Sequence, residues 1–186
     1  MSRRVTSTGE IRIIGGAFRR RRLVFPALPG VRPTPDRVRE TLFNWLGQDL
    51  QGQSCLDLFA GSGALGFEAA SRGASRVVMV EQDRRVFQAL KANAAMLAAG
   101  VVEPRGGDAL EFLSGSTELF DIVFLDPPFA AADWGEWFDA LASHVAADGQ
   151  VYCERGGTWE TPAGWQVHRE ARAGQVHYQL LRRAGI

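Results

Sequence analysis

The sequence predicts an α/β fold, a doubly wound and mostly parallel sheet, and three observations carry that reading. Residues 54–66, S-C-L-D-L-F-A-G-S-G-A-L-G, run from a short apolar segment bearing Asp57 through a glycine turn into a helical pattern. A second apolar run at 77–80 ends at Glu81, twenty residues beyond Gly61. Further on, apolar runs alternate with helical patterns until two alternating segments close the chain. Alternation of strand and helix gives parallel strands, and a terminal hairpin gives one reversed strand at the sheet end. With 186 residues the chain is one domain of ordinary size, large enough to bury a core.

Each element follows from its residues. Residues 1–9 predict no fixed structure, and short strand-like runs at 11–15 and 21–24 flank Gly15-Gly16 and an arginine cluster, which predicts a small hairpin. A Pro- and Gly-rich loop at 26–35 leads to Thr34 as helix cap and Pro35 as first helical residue. Val38, Leu42, Trp45 and Leu46 recur on one face of that helix, and Gly47 ends it. Arg37 and Arg39 fall off the apolar face and are expected in solvent or at the mouth of a site. The division is therefore a basic extension, 1–47, and a main domain, 48–186. In the main domain the strand at 55–59 is followed by a helix to Arg72, and the run at 77–80 by a helix over 84–99 with Val86, Leu90, Ala94 and Leu97 inward. A strand at 101–105, a short helix at 109–113, a strand at 120–125, a helix at 134–144 and a strand at 150–154 come next. The hairpin pairs 166–170 with 176–181 around Ala173-Gly174.

Charge is unevenly placed. The first forty residues hold ten Arg against Glu10, Asp36 and Glu40, a surplus of seven positive charges, while the formal net charge of the chain is zero. A basic end on an acidic body predicts a polyanionic partner for that end; the bland alternative is a solvated arm. Cys55 and Cys153 fall on different strands, and in the sheet order that the resemblance given below implies they lie two spacings apart, roughly 9.5 Å, beyond a disulfide's reach. His144, His168 and His177 show no ligand spacing, so no metal is expected. No apolar run reaches the length of a membrane span, and Arg12 and the arginine cluster interrupt any signal-peptide pattern near the start. The expected location is the cytoplasm.

The chemistry concentrates at strand ends. Gly61 and Gly63 let a ligand approach the backbone, and the helix beyond them offers free N–H groups. Glu81 can accept both hydroxyls of a ribose. Alone, the glycine pattern also fits a dinucleotide site or a tight turn with no ligand. Two features decide. Asp57, Glu81, Asp108 and Asp126 all fall at or near strand ends, a crowd that repels a pyrophosphate and suits a cationic sulfonium carrying an amino group. Then Asp126-Pro127-Pro128-Phe129 follows its strand at once. Pro128 has no N–H to occupy the Pro127 carbonyl, so that carbonyl and the Asp126 carboxylate can together accept the two N–H bonds of an exocyclic amino group. Phe129 offers a face for the base, worth about 1–3 kcal/mol in single-strand binders. A purely structural Pro-Pro turn is the alternative.

These motifs resemble those of class I S-adenosylmethionine-dependent amino methyltransferases. I-R-I-I-G-G at 11–16, R-P-T-P-D-R-V-R-E-T-L-F-N-W-L at 32–46, D-L-F-A-G-S-G-A-L-G at 57–66 and H-R-E-x-x-A-G-Q-V at 168–176 are similar to the RsmD family, along nearly the whole chain. The resemblance implies a Rossmann-like seven-stranded sheet of order 3-2-1-4-5-7-6, with strand 7 antiparallel. It implies methylation of the exocyclic N2 of guanine 966 in bacterial 16S rRNA by direct displacement. Asp57 and the turn Phe59, Ala60, Gly61 and Gly63 would hold the methionine end of the cofactor, Glu81 the ribose, and Asp108 with Ala109 the adenine. Asp126, Pro127 and Phe129 would be catalytic, acting on a base drawn out of its stack. The RNA-binding set is Arg19, Arg20, Arg21, Arg22 and Arg32, extended to Arg3 and Arg4. The partner would be 16S rRNA in the small ribosomal subunit or an assembly intermediate, met by a monomer. The alternatives are an adenine-N6 methyltransferase on DNA or RNA, an NAD-dependent oxidoreductase, and a non-catalytic assembly factor, against which the intact D-P-P-F tetrad stands.

Overall fold

The computed structural model describes residues 7–128, 133–156 and 160–185. The chain opens with a two-stranded antiparallel hairpin, β1 (Thr8–Arg12) and β2 (Arg22–Pro26), followed by α1 (Asp36–Trp45). Then come β3 (Ser54–Asp57), α2 (Ala64–Ser71), β4 (Arg76–Glu81), α3 (Arg84–Leu97), β5 (Val102–Gly106), α4 (Ala109–Ser114), β6 (Phe120–Leu125), α5 (Trp134–Leu141), β7 (Val145–Gly156), β8 (Trp165–Ala173) and β9 (Val176–Arg183). The last seven strands form one sheet in the order β5-β4-β3-β6-β7-β9-β8. Only β9 runs against its neighbours, pairing antiparallel with both β7 and β8. This is the order and the reversed strand that the family resemblance implied.

Period-two alternation along the strands divides the interior in two. Cys55, Val77, Ile122, Phe124 and Tyr152 face one way, into a core shared with α1, α2, α3 and the hairpin residues Ile11, Ile13, Leu23 and Phe25. Leu56, Val78, Val123, Leu125 and Cys153 face the other way, against Leu113 of α4 and Trp137, Phe138 and Leu141 of α5. The N-terminal segment is thus packed into the first core. Cys55 on β3 and Cys153 on β7 have β6 between them; both are buried and unpaired.

Four expectations change. Thr8 and Gly9 belong to β1 rather than to an unstructured arm. Thr34 does not cap α1: Pro35 is the flanking residue, no side chain caps the helix, and the Thr34 side chain bonds to Glu154 instead. Arg39 is not in solvent; it is 1% exposed, because Thr34 and Arg12 carbonyls, Asp36 and Glu68 all surround its guanidinium. Finally, α5 stops at Leu141, and β7 starts at Val145, before the Asp148-Gly149 pair that reads as a turn. An irregularity in pairing between Phe120 and Ile122 absorbs those residues into one long strand.

Candidate cofactor and catalytic site

The loop after β3 is held from beneath by Asp57. Its carboxylate accepts N–H bonds from Gly66, at 3.1 Å, and from Phe59. Burial, with a smaller contribution from the charge of Glu81, pushes the Asp57 carboxyl up to about 7. The two glycines serve different ends. At Gly63, with φ of 80°, a Cβ would come within 2.6 Å of the Phe67 ring and 2.9 Å of Leu90, so close packing demands glycine there. At Gly61, with φ of 50°, a Cβ would project into open space, its nearest neighbour the Phe59 carbonyl oxygen at 3.7 Å. The loop is pinned to β4 by the Ala60 N–H, which donates to the Val80 carbonyl at 3.0 Å. Phe59 lies edge-on to Trp137, with ring centres 5.0 Å apart.

Glu81 joins this loop to the next helix. One carboxylate oxygen accepts from Gly61 N–H at 3.0 Å and the other from Asp83 N–H at 2.8 Å. The Gln82 N–H also bonds to this carboxylate. Partial burial raises its pKa above the ordinary glutamate value. The Glu81 carbonyl in turn accepts from Gly107 N–H at 3.1 Å, which brings the ends of β4 and β5 together. Asp108 caps α4 through Oδ1 alone, accepting from Leu110 at 2.8 Å and Glu111 at 3.1 Å. Its other oxygen and the Ala109 N–H lie outside that cap.

Asp126 and Pro127 continue directly from β6. Phe124 pairs with Asp57 on β3, and Leu125 pairs with Cys153 on β7, so Asp126 sits between the glycine loop and the end of β7. Burial first, then the charges of Glu154 and Asp57, raise the Asp126 pKa well above the usual carboxylate range. Pro127 is buried and Pro128 exposed; Phe129 lies outside the described residues. Four strand-end carboxylates thus border one edge, and the structure adds a fifth. Glu154, near the end of β7, is buried, accepts from the Tyr152 hydroxyl at 2.8 Å, and meets Thr34. The strand-end logic that singles out Glu81 applies equally to Glu154 and could have found it.

The arginine cluster lies elsewhere. Ala17 and Phe18 N–H groups donate to Ser71 at the C-terminal end of α2, at 2.7 and 2.8 Å, and Arg21 donates to the Met96 carbonyl near the end of α3. The glycine loop and Asp83 stand at the opposite, N-terminal ends of these helices. Arg19, Arg20, Arg21 and Arg22 are therefore exposed at the far end from the cofactor loop rather than beside the pocket. Arg32 is exposed two residues before Thr34, whose side chain reaches Glu154. Arg3 and Arg4 lie outside the described residues. Among the described residues no group of His, Cys, Asp and Glu could hold a metal ion, and no helix is long and apolar enough to cross a membrane.

Residues 11–182 match the family model described as "Conserved hypothetical protein 95". The Ribosomal RNA small subunit methyltransferase D of Escherichia coli K12 is 45% identical over 183 residues, covering 96% of this chain and 92% of its own. The chain belongs to the ribosomal RNA small subunit methyltransferase D family. Within that family, the solved structure of the Escherichia coli methyltransferase yhhF is 46% identical and superposes with a TM-score of 0.84, covering 94% of this chain and 98% of that one. An RNA methyltransferase from Salinibacter ruber, solved with S-adenosyl-L-homocysteine, shares the fold at 20% identity, with a TM-score of 0.66 over 83% of this chain and 96% of its own.

Proposed function

We propose that this chain methylates the exocyclic N2 of guanine 966 in 16S rRNA, and that the residues assigned above carry out that transfer. The chain is an S-adenosylmethionine-dependent rRNA methyltransferase, as its family membership and fold have it. The observation that carries the finer reading is the placement of Asp126 and Pro127 between the glycine loop and β7.

The residues fit the cofactor. The open side of Gly61 leaves room for a chain lying against the loop, and Asp57 beneath it favours a positively charged amino group. Glu81 keeps acceptor capacity for the ribose beside its three backbone bonds, and the second oxygen of Asp108 with the Ala109 N–H suits the donor and acceptor edge of adenine. Phe59 and Ala60 complete the wall. Bound there, S-adenosylmethionine supplies an electrophilic methyl on a cationic sulfur. Asp126 and the Pro127 carbonyl accept the two N–H bonds of the guanine amino group. That holds the nitrogen lone pair out of conjugation with the ring, and the carboxylate stabilises the positive charge that develops on nitrogen. Placing the two reactants supplies the rest of the acceleration, with no covalent enzyme intermediate. Phe129 stacks on the flipped base. Arg32 and the arginine cluster hold RNA phosphates of the small subunit or its assembly intermediate, and the protein acts as a monomer.

The second reading is adenine-N6 methylation, since an adenine amino group presents the same two donors to the same two acceptors. Mass mapping of small-subunit RNA from a deletion strain, before and after incubation with the purified protein, separates them. A methyl gained on guanine 966 supports the proposal; a methyl gained on an adenine overturns it. Asp126→Ala should abolish most of that gain while leaving affinity for S-adenosylhomocysteine nearly unchanged.

A further inference from the structure

Asp126 and Glu154 follow paired positions on neighbouring parallel strands, Leu125 opposite Cys153. Leu125 and Cys153 face the α4/α5 side, so the two carboxyl groups that follow them turn together toward the α1 side, the side of Phe124 and Tyr152. Their surroundings differ. Glu154 receives the Tyr152 hydroxyl at 2.8 Å, and the Thr34 side chain from the loop before α1. Asp126 meets the negative charges of Glu154 and Asp57. Two carboxyl groups set side by side cannot both ionise freely, and the one that accepts hydrogen bonds keeps the charge. Besides Asp57, the titratable groups bearing on the pair are Tyr152 and Cys153 of β7.

We propose that Glu154 is a positioning residue for Asp126: fixed as a carboxylate by Tyr152 and Thr34, it keeps a proton on Asp126 until the cationic cofactor seats. Arrival of the sulfonium charge then releases that proton to solvent, and Asp126 becomes the acceptor that the guanine amino group needs. The acceptor is thus formed only in protein already carrying a methyl donor. The product, S-adenosylhomocysteine, has the same amino acid and nucleoside but no sulfonium, so after transfer Asp126 takes the proton that the methylated nitrogen sheds and is again protonated. The burial-driven rise in the Asp126 and Glu154 pKa values accords with one proton held between them.

This inference rests on the cofactor assignment made above, and a binding measurement without RNA tests it. Calorimetry in buffers of different ionisation enthalpy counts the protons released as each compound binds. Wild type should release more protons with S-adenosylmethionine than with S-adenosylhomocysteine, over a definite pH window. Asp57 meets the same amino group in both compounds, so the difference isolates the group facing sulfur. Asp126→Asn should lose the difference. Glu154→Gln should move its window to lower pH by about one unit. Tyr152→Phe and Thr34→Val, which remove the donors but keep the carboxyl, should shift it the same way and stand in if Glu154→Gln fails to fold. An unmoved window in the folded variants overturns the role of Glu154 and leaves the functional reading standing. Failure of wild type to bind either compound overturns both.

Discussion

A single carboxylate, Glu81, closes the glycine loop and the start of α3 with one oxygen each, and its proposed ligand is the ribose. Glu81→Ala therefore removes its backbone ties together with the proposed ligand contact. Hydrogen bonds to a charged group contribute about 1.5–3 kcal/mol each, so S-adenosylhomocysteine affinity should fall at least tenfold by calorimetry. An unchanged dissociation constant would take the ribose role from Glu81. Asp57 sets a pH dependence of another kind. Its folded-state pKa, about 7, lies above the ordinary value of 3.8. A raised acid favours the protonated fold, so its stabilising contribution is complete below about pH 4 and is lost as pH rises through about 7. Thermal melts of the cofactor-free protein should show wild type losing stability relative to Asp57→Asn between pH 4 and pH 8. Parallel curves for the two would mean that Asp57 is already ionised in the fold.

At the scale of elements, the hairpin is fastened to the sheet domain through α2. Glu68, fully buried, accepts from Ile14 N–H at 2.9 Å and Gly15 N–H at 2.8 Å, and pairs with Arg39 at 3.2 Å and Arg72 at 2.9 Å. Removing one partner of a buried pair leaves an uncompensated charge and costs about 3–5 kcal/mol. Glu68→Ala should lose that much in urea denaturation, and amide exchange at Ile14 and Gly15 should quicken before that of β3. This clamp was illegible in the sequence. Arg39 stands in a charged stretch with Asp36, Arg37 and Glu40, although it shares a face with Leu42 and Phe43, and its partner Glu68 comes 29 residues later. Glycine turns, apolar runs and strand-end acids are local signals, so the parallel sheet with its reversed strand and the positions of Asp57, Glu81, Asp108 and Asp126 could be read from the residues, whereas the strand order came from the family resemblance alone. Glu154 could have been read by the same rule, with Tyr152 two residues before it on the same strand face; only its other hydroxyl partner, Thr34, meets it through tertiary packing. The tip of the hairpin failed for a related reason: composition marks the arginines as a cluster, whereas only the bonds to Ser71 and Met96 say where that cluster sits.

Over the whole molecule, the Arg19–Arg22 cluster and the strand-end carboxylates occupy different ends. Arg19, Arg20, Arg21 and Arg22 crowd the far ends of α2 and α3, and the acids line the carboxyl ends of the strands. About a helix length separates them, roughly 20 Å for a fourteen-residue helix at 1.5 Å per residue. An RNA that touches both must span several nucleotides. Replacing the four arginines by Ala should weaken RNA binding and flatten its dependence on log salt by about 0.7 for each single-strand phosphate that is no longer neutralised, with cofactor affinity unchanged. Filter-binding titrations of both proteins against small-subunit RNA measure this, and coincident lines would move the RNA surface toward Arg32.

The unpaired cysteines give the two faces of the sheet separate clocks. Cys55 lies in the core beneath α1, α2 and α3, and Cys153 in the core beneath α4 and α5; burial holds both thiols in their unreactive, protonated form. A thiol reagent can reach either one only when its own layer of helices lifts. Modification at equal rates reports that the sheet opens as a unit, and faster modification at one site reports a layer that opens alone. Cofactor added before the reagent should slow whichever clock belongs to the layer it braces.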